Sequence, residues 1–360
     1  MIIPTLSRYI LGRFCSTIAG GVGATLLLIY LIDFIEMFRR AGGLATVGGA
    51  SAAFLSLLRA PSIAEQALPF VILGSAMFAF FNLSRRMELI VARAAGVSAW
   101  QFLAPALIAT FLIGLVAIAA YNPLAAIMKE RADSLEARLF NGPRQETDTS
   151  LWFRQRGVDG QAILHADQSS DHGARLTGVT VFVFDRDGGF VERVDAGKAE
   201  LKPGVWEVSD ARINAPGEEP TAVGAYMLAT NLTAEQVTQS FVPPDSVPFW
   251  SLPGVAGRSE LAGLDAHRYR LRFQTLLALP LLLVAMVLIA ASFSLRFFRS
   301  GGAGALAAGG AAAGFVLYVA TKIIGDLGGA GLLSAPVAAW SPAIIGCMLG
   351  TLALLNQEDG

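Results

Sequence analysis

Charged and reactive side chains are what this chain has least of. Lys, Arg, Asp and Glu supply 15% of its residues, where an ordinary soluble domain carries about 25%. Cys15 and Cys347 are its only cysteines, and His165, His172 and His267 its only histidines. The sequence therefore holds no C-x-x-C, H-E-x-x-H or G-x-S-x-G pattern, which removes sequence support for a dithiol centre, a zinc site or a serine-hydrolase elbow. Neither cysteine falls in the polar part of the chain, so a disulfide framework is excluded as well. A G-x-x-x-x-G-K-[ST] loop is also missing, so any ATP chemistry must come from another subunit. The formal net charge of -1, with no basic block, gives no nucleic-acid footprint.

What the chain has in excess is apolar sequence. Hydrophobic residues make up 54% of it, gathered into uncharged stretches at approximately 14–32, 66–83, 97–128, 273–295, 300–321 and 327–357. Each is about as long as the roughly 20 residues a helix needs to cross a bilayer. Three lie before and three after a polar block, so the expected protein is a six-span membrane protein with one large water-facing insertion. The first run is too long for the apolar region of a cleaved leader and lacks a small-x-small cleavage site. Arg8, Arg13, Arg85, Arg86, Arg93, Arg296 and Arg299 all fall on one side if the N-terminus is cytoplasmic, as retention of cations on that side requires. The insertion, with Arg39, Arg40, Arg59, Lys322 and Asp326, is then extracytoplasmic.

Within the polar block the pattern shortens to alternating runs. Leu176–Phe184 reads L-T-G-V-T-V-F-V-F, and Asp185-Arg186-Asp187-Gly188-Gly189 separates it from Phe190–Val194, which predicts a hairpin. Similar runs at 151–154, 162–166, 205–213 and 222–229 suggest about seven strands in a sandwich or jelly roll. An inward face left open would offer a groove to acyl chains, whereas a filled one would make a docking surface.

Two charged segments carry the candidate chemistry. Ser84–Gly96, S-R-R-M-E-L-I-V-A-R-A-A-G, reads as a short helix at the cytoplasmic interface, ended by a glycine suited to a C-terminal cap. Its Glu88 could serve an arginine of a soluble partner through a directional charge-assisted pair, or simply pair with Arg85 along the helix. Asp33, Glu36, Arg39 and Arg40 sit where the first span leaves the membrane. There, snorkelling arginines with a Glu36–Arg40 pair stand against recognition of anionic phosphates. Lys322 and Asp326 read as an interfacial pair. The glycines at 20–23 and 301–314 permit close helix approach.

The segments S-R-Y-I-L-G-R-F, L-I-D-F-I-E-M-F-R-R-A-G-G, R-R-M-E-L-I-V-A-R-A-A-G-V-S, W-E-V-S-D-A-R-I and G-F-V-L-Y-V-A-T-K-I-I-G together resemble the LptF/LptG family of lipopolysaccharide-export permeases, with the LptG branch the more similar. The resemblance implies an α-helical membrane protein with six transmembrane helices, three plus three, and an inserted periplasmic β-jelly-roll domain. Residues 1–128 would hold helices one to three with a coupling helix near 84–96, 129–268 the jelly roll and its connectors, and 269–360 helices four to six. It further implies an inner-membrane permease that pairs with the LptF paralogue and is served by a cytoplasmic LptB ATPase dimer. That ATPase would use ATP and Mg; this chain would bind no cofactor or metal and perform no catalysis. LptC and periplasmic bridge proteins would receive the lipopolysaccharide. Glu88, with Arg85, Arg86 and Arg93, becomes the expected ATPase-coupling set, and Arg39 and Arg40 the expected lipid-phosphate ligands. Asp33 departs from the family pattern, which puts a lysine there. Three other readings remain open: the LptF paralogue, an ion-coupled transporter relaying through Asp33, Glu36, Lys322 and Asp326, and a non-transporting mechanotransmitter.

Overall fold

The computed structural model describes residues 4–42, 48–86, 88, 96–140, 151–157, 160–170, 174–230, 243–261, 266–300 and 303–358. In lipid a backbone must satisfy its own hydrogen bonds, and the apolar runs accordingly fold as helices. These are α1 (Pro4–Ala41), α2 (Gly49–Arg85), α3 (Ala99–Val116) running through a π-helical turn (Ala117–Tyr121) into α4 (Asn122–Phe140), then α5 (Leu252–Leu261), α6 (His267–Ser300), α7 (Ala303–Gly329) and α8 (Ala335–Glu358). Among the described residues, six helices are long and apolar enough to cross a membrane: Ser7–Ala41, Gly49–Arg85, Ala99–Phe140, His267–Ser294, Ala308–Gly329 and Ala335–Asn356.

Local chemistry sets where these spans start and stop. Ser98 and Gln101 close a reciprocal capping box at the start of α3, satisfying donors that the first turn would leave free. The break between the last two spans lies at 330–334, later than the sequence pattern suggested. Lys322 and Asp326 are therefore inside α7, paired at 3.8 Å. Helix α7 ends only where Leu332 N–H reaches the Leu327 carbonyl, Gly331 N–H reaches Gly328, and Gly331 takes φ +77. That is the paired-bond glycine terminator, which a hydropathy profile does not see.

The chain divides into two compact units. One comprises 1–136, 245–250 and 271–360, and the other 137–244 and 251–270. The core of the first holds Phe14, Phe80, Phe102, Leu103, Leu283 and Met286, none more than 2% exposed, with Phe14 and Phe80 stacked at 5.7 Å. Span three meets span four so closely that a Cβ on Gly114 would lie 2.5 Å from the Pro280 Cα. Small residues at such crossings supply packing where lipid offers no hydrophobic drive.

In the second unit six strands, β1 (Leu151–Gly157), β2 (Gly160–Ser170), β3 (Arg175–Phe184), β4 (Phe190–Lys202), β5 (Val205–Asn214) and β6 (Thr221–Ala229), pair antiparallel in sequence order. The inserted β-domain is thus present. Its described strands pair with their neighbours in sequence order, each pair joined by a short connection. Asp185 fixes one of these turns by accepting from Asp187 and Gly189 N–H at 3.0 and 2.6 Å. Six strands lie among the described residues, and β4 continues through Asp195–Lys202, past the Phe190–Val194 run read in the sequence. The sheet rolls until its outer strands meet: Gln155 of β1 accepts from Thr230 Oγ1 at 2.7 Å. Trp206, Leu164, Val181, Val194 and Val208, all fully buried, fill the enclosed face. Of the two interiors left open by the sequence, the described residues form the filled one.

Candidate functional site

Two charged sites lie at opposite ends of the spans. At the end of α2, Arg86 caps the helix through its N–H to the Asn82 carbonyl at 3.1 Å. Arg85 lies over the Phe81 ring at 5.3 Å. Glu88 accepts from the Tyr9 hydroxyl at 3.1 Å, and Arg13 Nε donates to that same hydroxyl at 3.3 Å. The Arg85–Glu88 pair is therefore not formed among the described residues. Instead, the carboxylate is tethered by one oxygen to the start of α1, while its Oε2 has no hydrogen-bond partner among the described residues. The carboxylate is thus held on one oxygen by a neutral phenol, with its other oxygen buried and no cation paired to it among the described residues. Arg93, with 89–92 and 94–95, lies outside the described residues.

At the other end, three spans bring their charges together. Glu36 accepts from Arg39 at 2.7 Å and from Arg40 at 2.9 Å. Arg40 also faces Glu136 of α4 at 3.8 Å. Arg59 of α2 lies between Glu136, at 3.2 Å, and Asp33, at 3.7 Å. These six side chains sum to zero charge. Arg39 and Arg40 are thus paired with each other's partner, Glu36, rather than free, and Arg39 is the more open of the two. The sequence reading did not include Arg59 and Glu136 in this site. Only their occurrence at matching depth on separate spans could have signalled them, and depth depends on helix limits that hydropathy leaves loose.

Asp33 gains a physical account here. Its side chain is 10% exposed and faces Arg59, whereas a lysine in its place would repel that guanidinium.

Between spans one, two and three lies an apolar cavity of about 160 Å³, lined by Val22, Leu68, Val71, Ile113, Val116 and their neighbours. Spans one and five bury little of their most apolar windows inside the chain, 6% and 11%, against 72% for span four. Leu27, Leu28, Ile32 and Ile35 on the first, and Phe315, Val316 and Ile323 on the fifth, are all exposed.

Comparison with known proteins agrees along the whole length. The chain is 24% identical to the lipopolysaccharide export system permease protein LptG of Escherichia coli K12 over 331 residues, 89% of this chain and 90% of that one. With the protein of the same name from Haemophilus influenzae Rd it is 25% identical over 369 residues, 98% of this chain and 96% of the other. The family described as lipopolysaccharide export system permease LptF/LptG matches residues 8–356. Its six membrane helices, its inserted β-domain and that match place this chain in the LptF/LptG family of lipopolysaccharide export permeases.

Proposed function

We propose that the chain is the LptG-type permease subunit of an ATP-driven exporter that withdraws lipopolysaccharide from the inner membrane and passes it toward the outer one. It pairs with the LptF paralogue, is driven by a cytoplasmic LptB dimer that consumes ATP and Mg, and delivers to LptC and the bridge proteins. The termini are cytoplasmic and the β-domain periplasmic, in keeping with the arginine distribution. The observation that carries the reading is the open apolar flank of spans one and five. Moving one acyl chain of about fourteen carbons from bilayer to water costs roughly 11 kcal/mol at about 0.8 kcal/mol per CH₂, so several chains cannot leave through water. An apolar chamber closed by the exposed flanks of two permeases removes most of that cost.

In this mechanism Glu88 takes a cation of the ATPase, flanked by Arg85, Arg86 and Arg93, and the bound motor moves the end of span two. Lipid enters sideways between the paired flanks. Its phosphates meet Arg39 and Arg40, with Arg59 as the compensating cation opposite Asp33. Because these arginines already hold carboxylates, a phosphate binds by exchange: Glu36 or Glu136 releases a guanidinium as the anion arrives, and reclaims it when the lipid moves on. A neutral network therefore captures and also lets go.

Affinity purification in mild detergent, with mass spectrometry of protein and lipid, tests the proposal. Co-recovery of a second permease of this family, an ATPase and a phosphorylated lipid A is expected. A chain recovered with neither ATPase nor lipid would overturn it.

A further inference from the structure

A third polar cluster, away from both sites, lies buried in the membrane unit. Glu65, in the middle of α2, is 7% exposed and accepts from Arg272 at 2.6 Å and from Asn122 Nδ2 at 3.0 and 3.1 Å. Asn122 is itself buried, and its Oδ1 accepts from the Phe249 backbone N–H at 2.9 Å. Arg272 reaches on to Asp245 at 3.2 Å. One carboxylate thus ties span two to span three, to span four and to the short segment 245–250.

The chain passes between the two units at 136/137, 244/245, 250/251 and 270/271. Asp245, Phe249 and Arg272 stand within two residues of three of those passages. Ser246 in addition donates to Asp133 at 3.1 Å, shortly before the fourth. Each strand of chain that leaves the membrane unit is therefore pinned close to its exit, and most of the pins converge on Glu65. Glu65 lies on the same continuous helix as the coupling end, about 30 Å from Arg85 at about 1.5 Å per residue.

The backbone around the cluster is built to give. Pro61 and Pro69 flank Glu65 within α2, and because Pro69 lacks an N–H, the Glu65 carbonyl has no donor four residues on. The π-helical turn ends next to Asn122, a rare irregularity that gathers at functional sites. Side chains bridge these weak points, with the Tyr121 hydroxyl donating to the Pro61 carbonyl at 2.9 Å and Trp250 Nε1 to Ala119 at 3.2 Å. Simple stabilisation is a poor account of such a cluster, since a buried ion pair recovers little beyond its desolvation cost. A network with discrete partners at a hinge is the kind of element that carries coupling.

We propose that Glu65, acting through Arg272 and Asn122, is the positioning residue that transmits movement of span two to the chain passages into the β-domain. This rests on the transport reading above, in which the ATPase moves the end of that span. The test uses the complete transporter in proteoliposomes, scored as lipid released per ATP hydrolysed in assembled complex only. Glu65→Gln and Arg272→Gln should assemble with the ATPase and keep its turnover, yet lower the ratio roughly tenfold, with Glu65→Asp recovering part of it. Arg272→Lys keeps the charge but cannot fork to both Glu65 and Asp245, and should give an intermediate ratio even where the glutamine variants fail to assemble. A wild-type ratio in any assembled Gln or Lys variant overturns the proposal. A wild-type complex that releases no lipid at all sinks the transport reading instead.

Discussion

Replacing Glu136 by Gln should tighten phosphate binding, although it removes an ion-pair partner. In the neutral network Glu136 faces Arg59 at 3.2 Å and Arg40 at 3.8 Å. Unit charges at 4 Å attract by about 4 kcal/mol at an effective dielectric of 20. Glu136 and Arg59 are each about a third exposed, so solvent and side-chain ordering cut the net value toward the surface range, about 1 kcal/mol per pair. An arriving phosphate must overcome that attraction to engage either arginine. Glu136→Gln keeps the shape, leaves the network with one net positive charge and returns about 1–2 kcal/mol to the ligand, which is roughly five- to thirtyfold in affinity. Fluorescence titration of the detergent-solubilised complex with lipid A, and with its dephosphorylated form as control, reads the effect. The gain should vanish for the dephosphorylated lipid and shrink with salt. Unchanged or weaker binding of the phosphorylated lipid would refute the exchange mechanism.

Further outcomes test the fold that holds these sites. Gly114→Ala pushes a methyl to 2.5 Å from the Pro280 Cα, a backbone atom that cannot swing aside, and should cost about 1–3 kcal/mol by overpacking, seen as a lower unfolding midpoint in detergent. Trp206→Ala empties the centre of the rolled sheet and should cost about 3–5 kcal/mol, seen as faster proteolysis within 151–230 of the intact chain. Burial and the neighbouring Glu192 carboxylate, which accepts from its hydroxyl at 2.5 Å, push the Tyr226 hydroxyl above its usual value. The folded domain thus holds that proton more tightly than the unfolded chain does. Its contribution is complete below about pH 10 and is lost as pH rises beyond, so Tyr226→Phe should flatten the alkaline fall in resistance to denaturant.

The spans and the inserted β-domain were legible because lipid and sheet each impose a period: long uncharged runs in one case, alternation around Asp185–Gly189 in the other. What escaped was set by other physics. The end of α7 depends on one left-handed glycine, Gly331, and on two carbonyls satisfied by the Gly331 and Leu332 N–H groups. The rolling of the sheet depends on which edges meet in space, as Gln155 and Thr230 do. At the candidate sites, Glu88, Arg39 and Arg40 were marked by motif and charge. The Glu36–Arg40 pair was legible as well, but the distant partners were not, since Tyr9 lies 79 residues from Glu88 and Glu136 lies on another span. Glu65 lies just outside the apolar run at 66–83 and carried no signal of its own, while the structure buries it against Arg272, 207 residues away.

The central claim is that a separate motor grips this chain through Glu88. The most direct measurement is quantitative co-purification of the ATPase with wild-type chain and with Glu88→Ala, alongside a Tyr9→Phe control that removes only the hydroxyl tether. Loss of the ATPase from Glu88→Ala, with partial retention by Tyr9→Phe and normal recovery of the partner permease by both, is the predicted result. Stoichiometric ATPase on the Glu88→Ala chain would contradict it.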